Sequence, residues 1–332
     1  MKTRVFVFFV LSALLFGSCQ MREPQLVNIR GVVFGTYYSV SYFSDEGKVY
    51  QQQIDSLFEV FNQSMSYYLP QSLISRINNN ETDTVDDFFR VVYLRSEEIY
   101  LSTQGAFDPT VSPLVNAWGF GFAQKENMTS QMVDSLLGLV GFSRTRLENN
   151  RIIKEDPRIQ FDFNAIAKGY AADVVGAFLA SNGITAYLVE IGGDLTARGH
   201  KPDGSKWKIG LERPALNIDD PQHYDFYVEL EDRAVATSGN YRRFYEQDGQ
   251  RLSHTIDPFK GYPVTHNLLS VSVFAHDGIT ADAFATAFMV MGFEKAKEFV
   301  ENRKDIDAFF VYSNGIDGFE TYATPGIKLN KR

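Results

Sequence analysis

The chain has 332 residues, 44% hydrophobic, 14% aromatic and 22% charged, with 28 Phe and 17 Tyr; such a composition feeds a sizeable core and excludes a disordered or collagen-like protein. A net charge of −9 at pH 7 excludes the electrostatic footprint of a general nucleic-acid binder. One cysteine, Cys19, excludes intramolecular disulfides, cysteine zinc sites and iron–sulfur clusters.

The first segment places Lys2 and Arg4 before an apolar run, Val5 to Leu11, and then Ala13-Leu14-Leu15-Phe16-Gly17-Ser18-Cys19. A basic start, a short apolar stretch and small residues before a cleavage point are the pattern of a secretory signal. The stretch is short of the ~20 apolar residues of a spanning helix. Gly17 and Ser18 before Cys19 resemble a bacterial lipoprotein box, in which the cysteine is lipid-modified and becomes the mature N-terminus; an ordinary signal peptide with an accidental cysteine is the alternative. The expectation is a signal over 1–18, a tether over 19–28 and a folded body over 29–330, exported and lipid-anchored to a bacterial membrane, with the body on the periplasmic side.

Along the body, Val27 to Phe43 alternates and is rich in β-branched and aromatic residues, which predicts a strand or hairpin. Ile54, Leu57, Phe58 and Phe61 recur at helical spacing, and a second helix is predicted over 86–103. A third is predicted over 130–140, with Ser130 as its cap and Gly141 at its end. Gly105 to Gly121 reads as an ordered, apolar, irregular loop of the kind that walls a ligand site or packs a core. Ile152 to Phe163 reads as strand and Ile166 to Ala180 as a small-residue helix closed by Asn182-Gly183. Strands are predicted at 186–191, 207–211, 225–230, 269–275 and 308–313, with one long helix near 280–300. No Pro/Gly/Ser linker divides the chain, so the fold class is α+β: a single large domain of mixed sheets with flanking helices.

Three stretches carry chemistry. In Thr280 to Met289, Asp282 and Thr286 are four apart and project on one helical face. Paired hard oxygens suit Mg²⁺; the alternative makes Thr280 the N-cap and Asp282 a first-turn acid favoured by the helix dipole. In Asp162 to Tyr170, a strand ends, Asn164 is a candidate cap, and a helix begins whose free N–H groups attract anions, with Lys168 able to reach over that end. In His254-Thr255-Ile256-Asp257-Pro258, His254 and Asp257 are either a base and its orienting group or a turn histidine and an Asx-turn aspartate. The glycine clusters Gly192-Gly193-Asp194 and Ala236-Thr237-Ser238-Gly239-Asn240 read as turns on their own.

Taken together and in order, these motifs resemble the FAD:protein FMN transferases, the ApbE-like lipoproteins. The resemblance is carried by Gly35-Thr36-Tyr37-Tyr38, by Met65-Ser66-Tyr67-Tyr68 through Ser72-Leu73-Ile74-Ser75-Arg76-Ile77-Asn78, by the Gly105–Gly121 loop, and by the stretches around Asp162, Gly192, Ser238, His254 and Asp282. It implies an enzyme that uses Mg²⁺ to move the FMN half of FAD onto a Thr or Ser hydroxyl of an acceptor protein, releasing AMP. It further implies that Phe34, Tyr68, Ala106, Phe107, Asp108, Asp162, Lys168 and Ile256 line the FAD site, and that Ala165 (through its backbone oxygen), Asp282 and Thr286 hold the metal. Phe34 stands where the family often has Met. The usual acceptor is a membrane redox-pump or electron-transfer subunit. His254 is the candidate base for the acceptor hydroxyl, with Asp257 as its orienter. The rival readings are a Mg²⁺-dependent FAD pyrophosphatase, giving FMN and AMP, and a noncatalytic flavin-binding lipoprotein.

Overall fold

The computed structural model describes residues 23–121, 126–213, 223–240, 244–247, 250–315 and 318–331. The expected signal segment and Cys19 lie outside the described residues. In chain order the elements are β1 (Gln25–Val33), β2 (Thr36–Ser44), α1 (Gln51–Met65), α2 (Leu73–Asn78), α3 (Asp87–Ser102), α4 (Ser112–Ala117), α5 (Ser130–Leu137), β3 (Thr145–Glu148), β4 (Arg151–Lys154) and α6 (Ala167–Ser181). There follow β5 (Tyr187–Ile191), β6 (Asp194–Arg198), β7 (Trp207–Arg213), β8 (His223–Leu230), β9 (Ala234–Gly239), β10 (Phe244–Gln247), β11 (Gln250–Ser253), β12 (Leu268–Ala275), α7 (Gly278–Met291), α8 (Phe293–Glu301), β13 (Asp307–Ser313), β14 (Phe319–Ala323) and β15 (Asn330–Lys331).

An eight-stranded sheet in the order β1-β2-β5-β6-β9-β12-β13-β14 divides the molecule. All its pairings are antiparallel, a sharper result than the mixed sheets expected. Both faces are covered. Val189, Ile191, Ala236, Val271, Val273, Ala308 and Phe310 turn toward a core shared with α1, α3, α6, α7 and α8. The alternate residues Ala197, Val235, Phe274, Phe309 and Val311 turn the other way, onto Trp207, Ile209, Leu211, Val228 and Leu230 of the small β15-β8-β7 sheet. Two-sided burial turns strands into nearly continuous apolar runs, and so β5, β12 and β13 stand out in the sequence.

Several boundaries depart from expectation. Residues 25–28, expected as tether, already pair with β2. The turn of that hairpin is Phe34-Gly35, with φ of 50° and 73°; Gly35 takes the left-handed conformation freely, whereas Phe34 is held in it. The 105–121 stretch contains the short helix α4, which has Pro113 in its first turn, where a missing N–H costs nothing. Helix α5 is capped by Thr129 rather than Ser130 and closes at Gly138 rather than Gly141. Of the strand expected over 152–163, only the part in β4 forms. Ile159, Phe161 and Phe163 alternate inward as a strand would, but Phe161 bonds to the side chain of Asn78, N–H to Oδ1 and Nδ2–H to C=O, each at 2.8 Å. The long helix expected at 280–300 is two, broken at Gly292, whose φ of 77° ends α7 and starts α8.

Candidate functional site

The site is organised by the meeting of two helix starts. Helix α6 has no side-chain cap of its own: Ile166 holds the N-cap position and Asn164, the expected cap, does not serve. Its orphaned N–H groups are met from another element, since Asp282 of α7 accepts from Gly169 N at 3.0 Å and from the N–H of Lys168. Asp282 is 5% exposed. It is not a first-turn acid, because α7 begins at Gly278 and its cap is Asp277, which accepts from Thr280 N at 3.0 Å; Thr280 is therefore not the cap. Helix α6 returns the exchange. Asp173 accepts from Gly278 N at 2.8 Å, from Ile279 N at 2.9 Å and from the Thr196 hydroxyl at 2.7 Å. Two glycines permit the approach: a Cβ on Gly169 would lie 2.1 Å from the Gly278 carbonyl oxygen.

Beside this junction lies Asp194, which sequence reasoning passed over as part of a glycine turn. Gly192 and Gly193, with φ of 56° and 95°, reverse the chain between β5 and β6 and turn the Asp194 carboxylate inward. Asp194 is 1% exposed and forms an ion pair with Lys168. Burial first, then the charge of Asp282, push its carboxyl upward, against the opposing pull of Lys168. Burial likewise raises Asp282, again opposed by Lys168. Thr286, one turn beyond Asp282, comes to 3.5 Å from the Ser238 hydroxyl at the end of β9. Ala165 sits in the turn leading into α6. The centre thus gathers two buried carboxyl groups, one ammonium and the Thr286 and Ser238 hydroxyls, a set of hard oxygens that fits a divalent cation. Among the described residues no three His, Cys, Asp or Glu side chains converge. A cation here would complete its shell with backbone oxygens, phosphate and water, the coordination that suits Mg²⁺.

A second group of the expected residues comes from the middle of the chain. The Asp162 N–H donates to Pro109 O at 2.7 Å and its Oδ1 accepts from Asn164 N at 2.8 Å; burial pushes its carboxyl up to about 6. Near it is Tyr67, a residue sequence reasoning did not single out, whose phenol bonds to the Ser112 hydroxyl at 2.5 Å and accepts from Asn116 Nδ2 at 2.6 Å. Tyr68 is 58% exposed and its ring lies 6.1 Å from that of Tyr67. Phe34 packs on Phe58 and Phe61. Ala106 and Phe107 are buried. Asp108 uses both oxygens within its surroundings, Oδ1 on Thr110 N and the Thr110 hydroxyl and Oδ2 on Phe142 N, so it shapes the loop.

The third group is the stretch after β11. Ile256 packs with Leu114, Trp118 and Val133, which ties it to the aromatic loop. The His254 ring stands 6.4 Å from that of Phe120. Asp257 accepts from Phe259 N at 2.8 Å and from Lys260 N at 3.1 Å, so the turn reading describes this aspartate. The structure therefore gathers Lys168, Asp282 and Thr286 into one centre with Asp194 and Ser238. It ties Asp162 to the aromatic loop through Pro109 and sets it near Tyr67, the ring neighbour of Tyr68, and it ties His254 and Ile256 to the loop that carries Ala106, Phe107 and Asp108.

The family model described as the ApbE family matches residues 34–310. The FAD:protein FMN transferase of Vibrio cholerae is 36% identical over 326 residues, covering 96% of each chain. That of Escherichia coli K12 is 31% identical over 341 residues, covering 97% of this chain and 96% of the relative. The crystal structure of Pseudomonas stutzeri flavinyl transferase ApbE, apo form, superposes with a TM-score of 0.81 at 34% identity, over 91% of this chain and 96% of that one.

Proposed function

The chain belongs to the ApbE family, and from that premise we propose that it transfers the FMN moiety of FAD, with Mg²⁺, to a Thr or Ser hydroxyl of an acceptor protein. The observation that carries this reading is the buried Asp282–Asp194–Lys168 centre at the start of α6. In the transfer, the acceptor oxygen forms a bond to the FMN-side phosphorus, the bond from that phosphorus to the bridging oxygen breaks, and AMP leaves with that oxygen. Asp282, Thr286 and the Ala165 carbonyl would hold the cation, which would supply positive charge to offset that on the diphosphate oxygens. Lys168, paired with Asp194 at the same centre, would add a fixed positive charge where negative charge grows. The hydroxyl proton passes to an imidazole nitrogen of His254, and Asp257 contributes by fixing the turn that follows. Tyr68, with much of its ring open to solvent, is available to stack on a flavin or adenine ring, worth ~0.5–1.5 kcal/mol beyond area burial.

The acceptor of this reading is a membrane redox-pump or electron-transfer subunit. The enzyme is exported and held to the membrane by a lipid on Cys19. The test is incubation with FAD, Mg²⁺ and an acceptor domain, followed by mass spectrometry. The acceptor should gain one FMN per AMP released and keep it after denaturation, and His254→Ala should slow labelling strongly while FAD still binds. AMP release at an equal rate without acceptor would make the protein a pyrophosphatase instead. Bound FAD left intact with Mg²⁺ present would make it a flavin carrier.

A further inference from the structure

We propose that Asp194 is a positioning residue of this centre, acting on the reaction by holding the Lys168 ammonium over the diphosphate rather than by binding the metal. The inference rests on the transferase reading and deepens it.

Lys168 is the second residue of α6, and about a third of its side chain is exposed. An ammonium on a four-carbon stem in that position prefers solvent unless something holds it. The partner that holds it is almost wholly buried and belongs to another layer of the molecule. Three features fix that partner in place. The Gly192-Gly193 reversal sets its backbone, and pairing of Ile191 with Asp194 sets its register. The N–H of Thr237 on β9 also donates to its carboxylate. Strand β6 presents alternate side chains to α6: Asp194 takes Lys168, and Thr196 two residues on takes Asp173. The division of labour follows from where each carboxylate is committed. Asp282 is bound to the N–H groups of α6 and shares its helical face with Thr286, whereas Asp194 is bound to the ammonium. A salt bridge this enclosed fixes geometry more than it adds stability.

The experiment separates aim from charge. In Asp194→Asn, Lys168 keeps its charge and loses its direction, while the centre becomes more positive by one. Without metal, in EDTA, ADP should then bind by calorimetry at least as tightly as to the unsubstituted protein. Yet kcat for transfer with Mg²⁺ should fall about 10- to 100-fold. In a Lys168→Met background the same substitution should change kcat less than about 3-fold, because residues acting as one unit are not additive. Should Lys168→Met fail to fold, the single variant's split between ADP affinity and kcat decides the matter. Full, additive loss in the Lys168→Met background would overturn the proposal in favour of a direct metal role. ADP binding weakened tenfold or more in Asp194→Asn would overturn it in favour of a structural one, and an unchanged kcat would overturn it outright. An unsubstituted protein that labels no acceptor defeats the transferase reading instead, and the ADP titrations still report on the Asp194–Lys168 pair.

Discussion

A carboxylate held in an enclosed position leaves its mark on the pH dependence of stability, and Asp162 is the case to measure. Its value of about 6 in the folded chain lies above the ordinary 3.8. Folding therefore favours its protonated form, so the contribution to stability is complete below pH 4 and is lost as pH rises through 6. A shift of this size is worth up to ~3 kcal/mol. Asp162→Asn keeps an acceptor for the Asn164 N–H; in urea unfolding it should match the unsubstituted protein at pH 4 and grow more stable than it toward pH 7. Equal stability across that range would remove the assignment. Asp282 offers the complementary experiment, because its charge and its hydrogen bond can be separated. Asp282→Asn still accepts from Gly169, so stability should stay within ~1 kcal/mol, while Mg²⁺-stimulated turnover falls by ~100-fold or more. A variant that keeps its Mg²⁺ response would show that Asp282 serves the helix alone. At this scale the sequence spoke clearly where spacing dictates facing, as for Asp282 and Thr286 four apart. It was silent where a carboxylate's use depends on distant chain: nothing near Asp194 in sequence announces Lys168, and nothing near Asp108 announces the Phe142 N–H that occupies it.

Between elements, the tightest constraint is the mutual capping of α6 and α7. A methyl group on Gly169 would sit 2.1 Å from one backbone atom of Gly278 and 2.5 Å from another. Backbone cannot rotate aside as a side chain can, so Gly169→Ala must push the helices apart and lengthen the bond to Asp282. Overpacking of this kind costs ~1–3 kcal/mol, and Mg²⁺ affinity should fall in step, measured by calorimetry on the purified variant. An alanine variant with unchanged stability and Mg²⁺ affinity would show that the two helix starts tolerate a methyl group between them. The same junction shows why some elements were hidden. β6 and β9 carry Asp194, Thr196 and Ser238, polar residues turned toward α6 and α7, and Thr237, which bonds to Ser272 on the opposite face, and so they lack the apolar signature that exposed β5, β12 and β13. The break between α7 and α8 was hidden for a different reason. Gly292 sits inside a continuous helical pattern, and its left-handed φ, with the His266 ring packed against it, becomes visible only in the fold. The stretch at 155–163 has strand periodicity without strand partners, because Asn78 bonds to the Phe161 backbone as a neighbouring strand would.

For the whole molecule, the α+β class and single domain followed from the run of strands and the missing linker. The layering did not, since whether β7 and β8 extend the large sheet or cover it is a matter of pairing at long range. Among the described residues no helix is long and apolar enough to cross a membrane. In the proposed function the anchor is the lipid on Cys19, six positions before β1, a reach of at most about 20 Å to the first strand. Cys19→Ala should abolish incorporation of labelled fatty acid and release the protein from membrane fractions; a variant that is still labelled would refute the lipid site. One consequence of the crossed helix caps concerns timing. Each helix start is satisfied by a carboxylate of the other, so the cradle is finished by the polypeptide alone, before any ion arrives. On the proposed reading, cation loading would be a late and reversible event in the life of the molecule, and stripping the ion with a chelator would idle the enzyme without unmaking it.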